Sequence, residues 1–321
     1  MTITGIPSGQ QVVLSNLAFN FWWSPGAQSG VSISGCAGSV LLEDIYFLSR
    51  GQIGSVLSIQ QCQNVVLRGN EYALGGVPLT IVNSTVLLST CLLRSDPPST
   101  LWPSLAYTNA CPALDVRNSD VTVVGSGLYG YTLNPTWGPF QPAVRLDNST
   151  LRVGPATIMR GATLSSGNYS LAYQSVNPAT CQVHIDPRAQ VNQIGPGSQP
   201  QPTTTAIDAT YHSWIVAGYP FGLSVVGPAN GFALMLLGNL LPVPTPTPFG
   251  PTVLDPLTAQ IVDLVFLPPP YGNVNWTLPC PATAPVATPF VFQALTLSPS
   301  GQFGITIPSP LTVGWQHGRI P

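Results

Sequence analysis

Apolar and polar residues alternate in short runs through the first half of the chain, and the runs recur. Five of them centre on Ile33, Ile59, Ile81, Val116 and Leu146. Three end in the same pair, Asn83-Ser84, Asn118-Ser119 and Asn148-Ser149, and the two earlier ones end in Gly35-Cys36 and Gln61-Cys62. Each is followed by a second apolar run: Val40-Leu41-Leu42, Val65-Val66-Leu67, Val86-Leu87-Leu88, Val121-Thr122-Val123 and Leu151-Arg152-Val153. Period-two alternation marks β-strands, whose successive side chains point to opposite faces. A single unit of this kind cannot bury its own apolar row, so neighbouring units must stack on it. The anchors are unevenly spaced, closest between Ile59 and Ile81 and furthest between Ile81 and Val116. Strands that stack in register while the loops between them vary in length predict an all-β, right-handed parallel β-helix over residues 1–186.

The register follows from the same alternation. With Val116 and Leu146 pointing inward, Asp115, Arg117, Arg145 and Asp147 point outward. Asp115 then stacks on Arg145, and Arg117 on Asp147, two opposite-charge pairs in opposite order. Asn83, Asn118 and Asn148 form a ladder at a coil corner, with amides able to bond from coil to coil. Four glycosylation-type sequons occur, at Asn83, Asn148, Asn168 and Asn275. Two belong to this ladder, which assigns them to structure.

After Cys181-Gln182-Val183-His184-Ile185-Asp186 the pattern stops. Residues 187–205, with the run Pro196-Gly197-Ser198-Gln199-Pro200-Gln201-Pro202, have no apolar periodicity and read as a linker or a cap crossing. From residue 206 to 321, strands are expected at Ser213–Ala217, Phe232–Leu237, Gln260–Leu267 and Phe290–Leu297, with a last one before Trp315. Pro-rich loops such as Leu241–Gly250 separate them. Six to eight short strands in such a length predict a β-sandwich.

Composition narrows the function. Only 6% of residues are charged, none is lysine, and the net charge is −2. A nucleic-acid footprint is therefore absent. No apolar run reaches the roughly 18–20 residues of a membrane span, so membrane insertion is not expected. Met1-Thr2-Ile3-Thr4-Gly5 carries no signal-peptide pattern and starts as though within a coil; the expectation is a fragment of a secreted or cell-surface protein. Stacked coils with open ends can also associate end to end.

Six cysteines without zinc-type spacing point to disulfides. Cys36 and Cys62 take the same place in adjacent coils and either bond or stack as small buried side chains. Cys91 and Cys111 bracket the longest insertion, where a bridge would pin the loop's base. Cys181 and Cys280 remain as a third pair, tying the last coil to the second domain.

At the level of pattern the first half resembles the right-handed parallel β-helix superfamily of pectate lyases, polygalacturonases, tailspikes and adhesins. In the second half, Pro289-Phe290-Val291-Phe292-Gln293-Ala294-Leu295, Ser298-Pro299-Ser300-Gly301, Leu311-Thr312-Val313-Gly314, Leu236-Leu237-Gly238 and Leu278-Pro279-Cys280-Pro281 resemble a sandwich module that ends many large secreted bacterial proteins. A shared fold does not transfer a function.

Chemistry on such a helix needs carboxylates gathered on one outer face. Asp44, Arg68 and Glu71 are one candidate group, with a cross-coil salt bridge as the alternative. His184 and Asp186, two apart on one strand face, are a second, for general-base work or simple pairing. Trp22, Trp23, Trp102, Tyr107, Tyr129, Tyr131 and Trp137 lie in or beside insertions. Tyr129, Tyr131 and Trp137 are candidates for stacking on sugar rings, or for burial against the coil. No nucleotide or nucleophile-elbow fingerprint occurs, and no cofactor or metal is expected. The leading expectation is a structural or adhesive module without catalysis, with extracellular polysaccharide or surface proteins as partners. A polysaccharide lyase or hydrolase and a non-catalytic carbohydrate-binding module are the alternatives.

Overall fold

A computed structural model describes residues 1–22, 29–50, 55–74, 77–95, 111–130, 141–154, 157–163, 166, 169–186, 189–192, 198–200, 206–209, 214–248, 250–270, 272–284, 289–306 and 309–314. The chain divides into two compact units, Met1–Gln201 and Pro202–Pro321.

The first unit is a parallel β-helix with three strands per coil. Sheet I stacks Thr2–Thr4, Ser29–Ser34, Ser55–Gln60, Val77–Val82, Leu114–Arg117, Val144–Asp147 and Tyr173–Ser175. Sheet II runs from Gln11–Ser15 through Ser39–Glu43, Asn64–Arg68, Thr85–Ser89, Asp120–Val124 and Thr150–Val153 to Gln182–Ile185, and Ser198–Pro200 adds an eighth strand. Sheet III holds Ala18–Trp22, Tyr46–Arg50, Glu71–Leu74, Leu92–Arg94, Gly127–Tyr129, Ile158–Arg160 and Gln190–Val191. All pairings in the three sheets are parallel, and crossovers between parallel strands take the right hand. The helix therefore continues past Asp186, and two strands fall in the segment expected to be linker.

The predicted anchors Ile33, Ile59, Ile81, Val116 and Leu146 form one inner column in register from coil to coil, and Ile3 extends it by a coil that the pattern did not show. Sheet II supplies Val40, Val65, Val86, Val121, Leu151 and Val183 in a second column. Sheet III contributes an aromatic stack: the Phe19 and Phe47 rings lie 5.3 Å apart, and Phe47 and Tyr72 lie 4.6 Å apart and nearly parallel. Burial lifts the Tyr72 phenol well above its ordinary pKa. Each coil closes only the row of its neighbour, so burial is shared along the stack.

Two of the three corners repeat one device. At the corner between sheets I and II, Gly5, Gly35, Gln61, Asn83, Asn118 and Asn148 all take positive φ. Asn16, Asp44, Gly69, Thr90 and Gly125 do so between sheets II and III. The left-handed region suits glycine and asparagine, which explains the predicted Asn ladder. The residue that follows turns inward and bonds across coils. Ser149 Oγ accepts the Ser119 N–H at 3.1 Å, Ser119 Oγ that of Ser84 at 3.0 Å, and Ser84 Oγ that of Cys62 at 3.0 Å. Each hydroxyl donates to the carbonyl two residues back. Cys36 and Cys62 occupy the same slots, with their thiols donating to the Ser34 and Gln60 carbonyls. At the second corner Asn70, Cys91 and Ser126 play this part: Ser126 Oγ accepts the Cys91 N–H and Asn70 Oδ1 that of Ile45.

The charge pairs set the register as expected, with one correction. Asp115 lies opposite Arg145 and Arg117 opposite Asp147. Arg145 grips Asp115 through both Nε, at 3.1 Å, and a terminal nitrogen, at 2.7 Å. Arg117 also bonds Asp115, at 2.7 Å, rather than Asp147. Its long side chain reaches back along its own strand to the carboxylate already held by Arg145.

The six cysteines are all buried thiols. None of the predicted bridges is formed: Cys91 turns into the second corner, its thiol donating to the Leu67 and Ser89 carbonyls. Cys111 sits beside Ser95, and burial pushes its thiol up to about 12. Cys181 packs in the core of the first unit and Cys280 in that of the second. Cys36 and Cys62 adopt the second of their two expected arrangements, stacked without a bond. Burial raises Cys62 to about 11.

The second unit has two main sheets. One pairs Ala206–Ala209, Pro220–Val226 and Asn273–Pro279; the other orders Trp214–Val216, Ser309–Gly314, Pro289–Leu297, Gly231–Gly238 and Gln260–Leu267, with Phe303–Ile305 on Pro289–Leu297. Leu223 and Val225 from the first meet Ala233, Met235, Phe292 and Ala294 from the second in one core, which makes it sandwich-like. The expected loop Leu241–Gly250 is largely strand. Leu240–Thr247 pairs with Gly250–Leu254 in a separate two-stranded sheet, where prolines are tolerated because each strand keeps an open edge.

Candidate functional site

The Asn ladder borders a polar groove of about 600 Å³ along the corner between sheets I and II. Asn83, Asn118 and Asn148 present one amide per coil along its length, about 4.8 Å apart as neighbouring strands require. Positive φ turns these three side chains outward while the following serines turn in. Asn148 Nδ2 donates to Asn118 Oδ1 at 2.7 Å. The far wall is the first outward row of sheet II, Thr85, Asp120, Thr150 and Gln182. Among the described lining residues Asp120 is the one carboxylate, and Arg152, diagonally across the strands, pairs with it.

His184 stands beside this pair. It lies opposite Arg152 in the register and points outward, as Val183 and Ile185 pack inward. Desolvation and the Arg152 charge hold its imidazole below the usual range, against an opposing pull from Asp120. Asp120, two coils away along sheet II, is thus a carboxylate that acts on His184. Asp186 is fully buried just past the strand end.

The first candidate group is dispersed. Arg68 pairs with Glu43, opposite it in the register, at 3.2 Å, and both side chains are buried. The expected cross-coil salt bridge exists, but its acid is Glu43 rather than Asp44. Asp44 is a corner residue with φ 50°, its N–H bonded to the Arg68 carbonyl. Glu71 opens the sheet III strand beyond that corner and is exposed. The outward row next to Glu43 and Arg68 is also buried, at Leu41, Val66, Leu87 and Thr122, so this part of sheet II offers no open face.

Of the aromatic candidates, Tyr129 lies on the outer face of sheet III between Arg94 and Arg160 in register. The Arg94 guanidinium sits 5.4 Å from its ring centre. On its other flank the ring folds against Gly127, where a Cβ would stand 2.7 Å from it. Tyr129 is therefore engaged in a cation–π contact rather than free as a platform. Tyr131 and Trp137, like Trp23, Trp102 and Tyr107, lie outside the described residues.

Sequence reasoning found the ladder but missed the groove's other wall. Asp120, Thr150 and Gln182 each begin the second strand of a coil directly after the Asn-Ser or equivalent corner, and that position was the signal. Among the described residues no three metal-binding side chains gather. No protein-family model, curated protein or solved structure matches this chain.

Proposed function

We propose that the chain is a structural or adhesive module of the extracellular space or cell surface, which holds an uncharged polymer of polysaccharide type along the Asn corner without altering it. The observation that carries this reading is the groove's make-up. Amides and hydroxyls repeat once per coil along a line, which suits the repeating hydroxyls of a neutral chain. The one carboxylate in the described lining is paired with Arg152, and Asp115 with two arginines. These carboxylates are tied into register-fixing ion pairs. Low overall charge and the likeness to secreted terminal modules support the location.

The test is retention and product release on a panel of neutral and acidic polysaccharides, with and without Ca²⁺. Asn118→Gly and Asn148→Gly keep the corner conformation while deleting the amides. The expected result is retention of a neutral polymer, weakened about tenfold or more in the double variant, or about 1.4 kcal/mol. Sustained release of reducing or unsaturated ends would overturn the non-catalytic reading in favour of a lyase or hydrolase. Equal retention by parent and double variant would remove the groove from it.

A further inference from the structure

The outer face of the larger sheet in the second unit carries two apolar rows. One crosses Phe266, Phe232, Leu297 and Phe303 on four adjacent strands. Leu264, Leu234, Leu295 and Ile305 form the row beside it. Phe266 is 46% exposed, Phe232 45%, Phe303 52% and Leu264 63%. Phe232 and Phe266 meet edge to face at 5.5 Å, so the rings are set in place rather than loose.

The same face is covered further along the strands. There Leu236 packs on Leu254 and Val291, and Thr252 bonds the buried Gln293 at 3.0 Å. The hairpin of Leu240–Thr247 and Gly250–Leu254 thus closes the half that bears a polar side chain. Among the described residues the two rows of the open half carry only hydrocarbon side chains.

Three features of this sheet bear on what covers it. First, the sheet's edge strand Gln260–Leu267 is blocked against strand addition. It is bulged opposite Met235 and Leu236, and Asp263 on it accepts the Leu264 N–H at 2.8 Å. A bulge and a charge on an edge are the usual protection against pairing with another chain, so contact is through the face. Second, from residue 202 onward the charged residues are Asp208, Asp255, Asp263 and Arg319. None is in either row, so the face has nothing to offer a charged partner, and it meets its own copy without repulsion. Third, the size fits. Rings that bury 150–250 Å² each, half exposed here, together with the leucines give roughly 500–600 Å² per copy, and a pair reaches the lower edge of a specific interface.

We propose that this face joins two copies of the chain, sheet face on sheet face about 10 Å apart, around a two-fold axis. The contact is self-complementary and dissociates on dilution. It is independent of the groove and of what the groove holds.

Sedimentation velocity on the full chain from roughly 1 to 100 µM tests it, the range in which a small interface comes apart. The parent is expected to shift from monomer to dimer. Leu264→Lys/Phe266→Lys should remain monomeric throughout while its circular dichroism still reports the folded chain, with a melting midpoint lowered only by the loss of the Phe266 contact to Phe232. Phe303→Ser, on another strand, should weaken the dimer independently, and Phe266→Leu should retain it. A parent that stays monomeric to the top of the range overturns the proposal. So does a dimer that survives the double lysine variant. A monomeric parent that floats with phosphatidylcholine vesicles would assign the face to lipid and overturn the second-copy reading as well.

Discussion

Ser119→Ala removes one hydroxyl from the inner corner column and leaves the backbone path untouched. Ser119 is 7% exposed, and its Oγ is the acceptor for the Ser84 N–H at 3.0 Å. With alanine that N–H has no acceptor, and a buried donor left unpaired costs about 1–3 kcal/mol. The Arg117 carbonyl, which accepts from Ser119 Oγ at 2.7 Å, loses less, since it also accepts the Asn83 N–H. A loss of about 2 kcal/mol follows, or roughly 4–8 °C in melting midpoint for a unit of this size. Ser119→Cys should fall between parent and alanine, because Cys62 already fills the equivalent slot with its thiol bonded to the Gln60 carbonyl. The assay is a thermal melt followed by circular dichroism in the β region. An alanine variant that melts within about 1 °C of the parent would refute the claim that the corner column stabilises the stack.

Three other outcomes follow from the same structure. Asp115 holds two arginines, so Asp115→Ala should destabilise more than Arg117→Ala, which removes a half-exposed partner contributing about 0–1 kcal/mol; a double-mutant cycle with Arg145→Ala reads the coupling and should exceed that of the Arg117 pair. His184 is held below its ordinary pKa of 6.5 by desolvation and by Arg152. The unfolded chain then binds this proton more readily than the folded one, so the contribution of His184 is complete above about pH 6.5 and is lost as pH falls toward the folded value. His184→Gln should flatten that acid limb, and a proton NMR titration placing the folded His184 pKa above 6.5 would contradict the reasoning. The six buried thiols should resist an aromatic disulfide reagent at pH 8 in the folded protein and all react after denaturation without reductant; fewer than six would show that bridges exist.

The inner columns of sheets I and II were legible because their strands are long enough to show alternation and because four charges mark the register. Sheet III was not. Leu92–Arg94, Gly127–Tyr129 and Ile158–Arg160 have three residues each, too few for a period of two to appear. In the coil that ends with Gln182–Ile185, the sheet I strand Tyr173–Ser175 escaped because Ser175 stands where the anchors stand in the others. The first coil escaped because one isoleucine, Ile3, is its only apolar residue in sheet I. What repeats at the second corner is a backbone angle, and Asn16, Asp44, Gly69, Thr90 and Gly125 realise it with four different residue types. At the first corner three of the residues are asparagine, so the same device could be read as a motif.

That difference also explains which site residues could be found. Residues tied to the corner follow from local sequence, as the amide ladder did. The Asp120–Arg152 pair and its effect on His184 are diagonal contacts that span three coils, and they depend on register carried through loops of unequal length. Asp44 shows the converse. Its place next to Glu43 suggested a functional acid, yet at φ 50° it serves the turn while Glu43 takes the arginine. A residue one step along a strand changes face, and one step further it reaches the corner. Candidate groups in a coil stack are therefore judged by their column, and the column with an open polar groove is the one that begins at each asparagine.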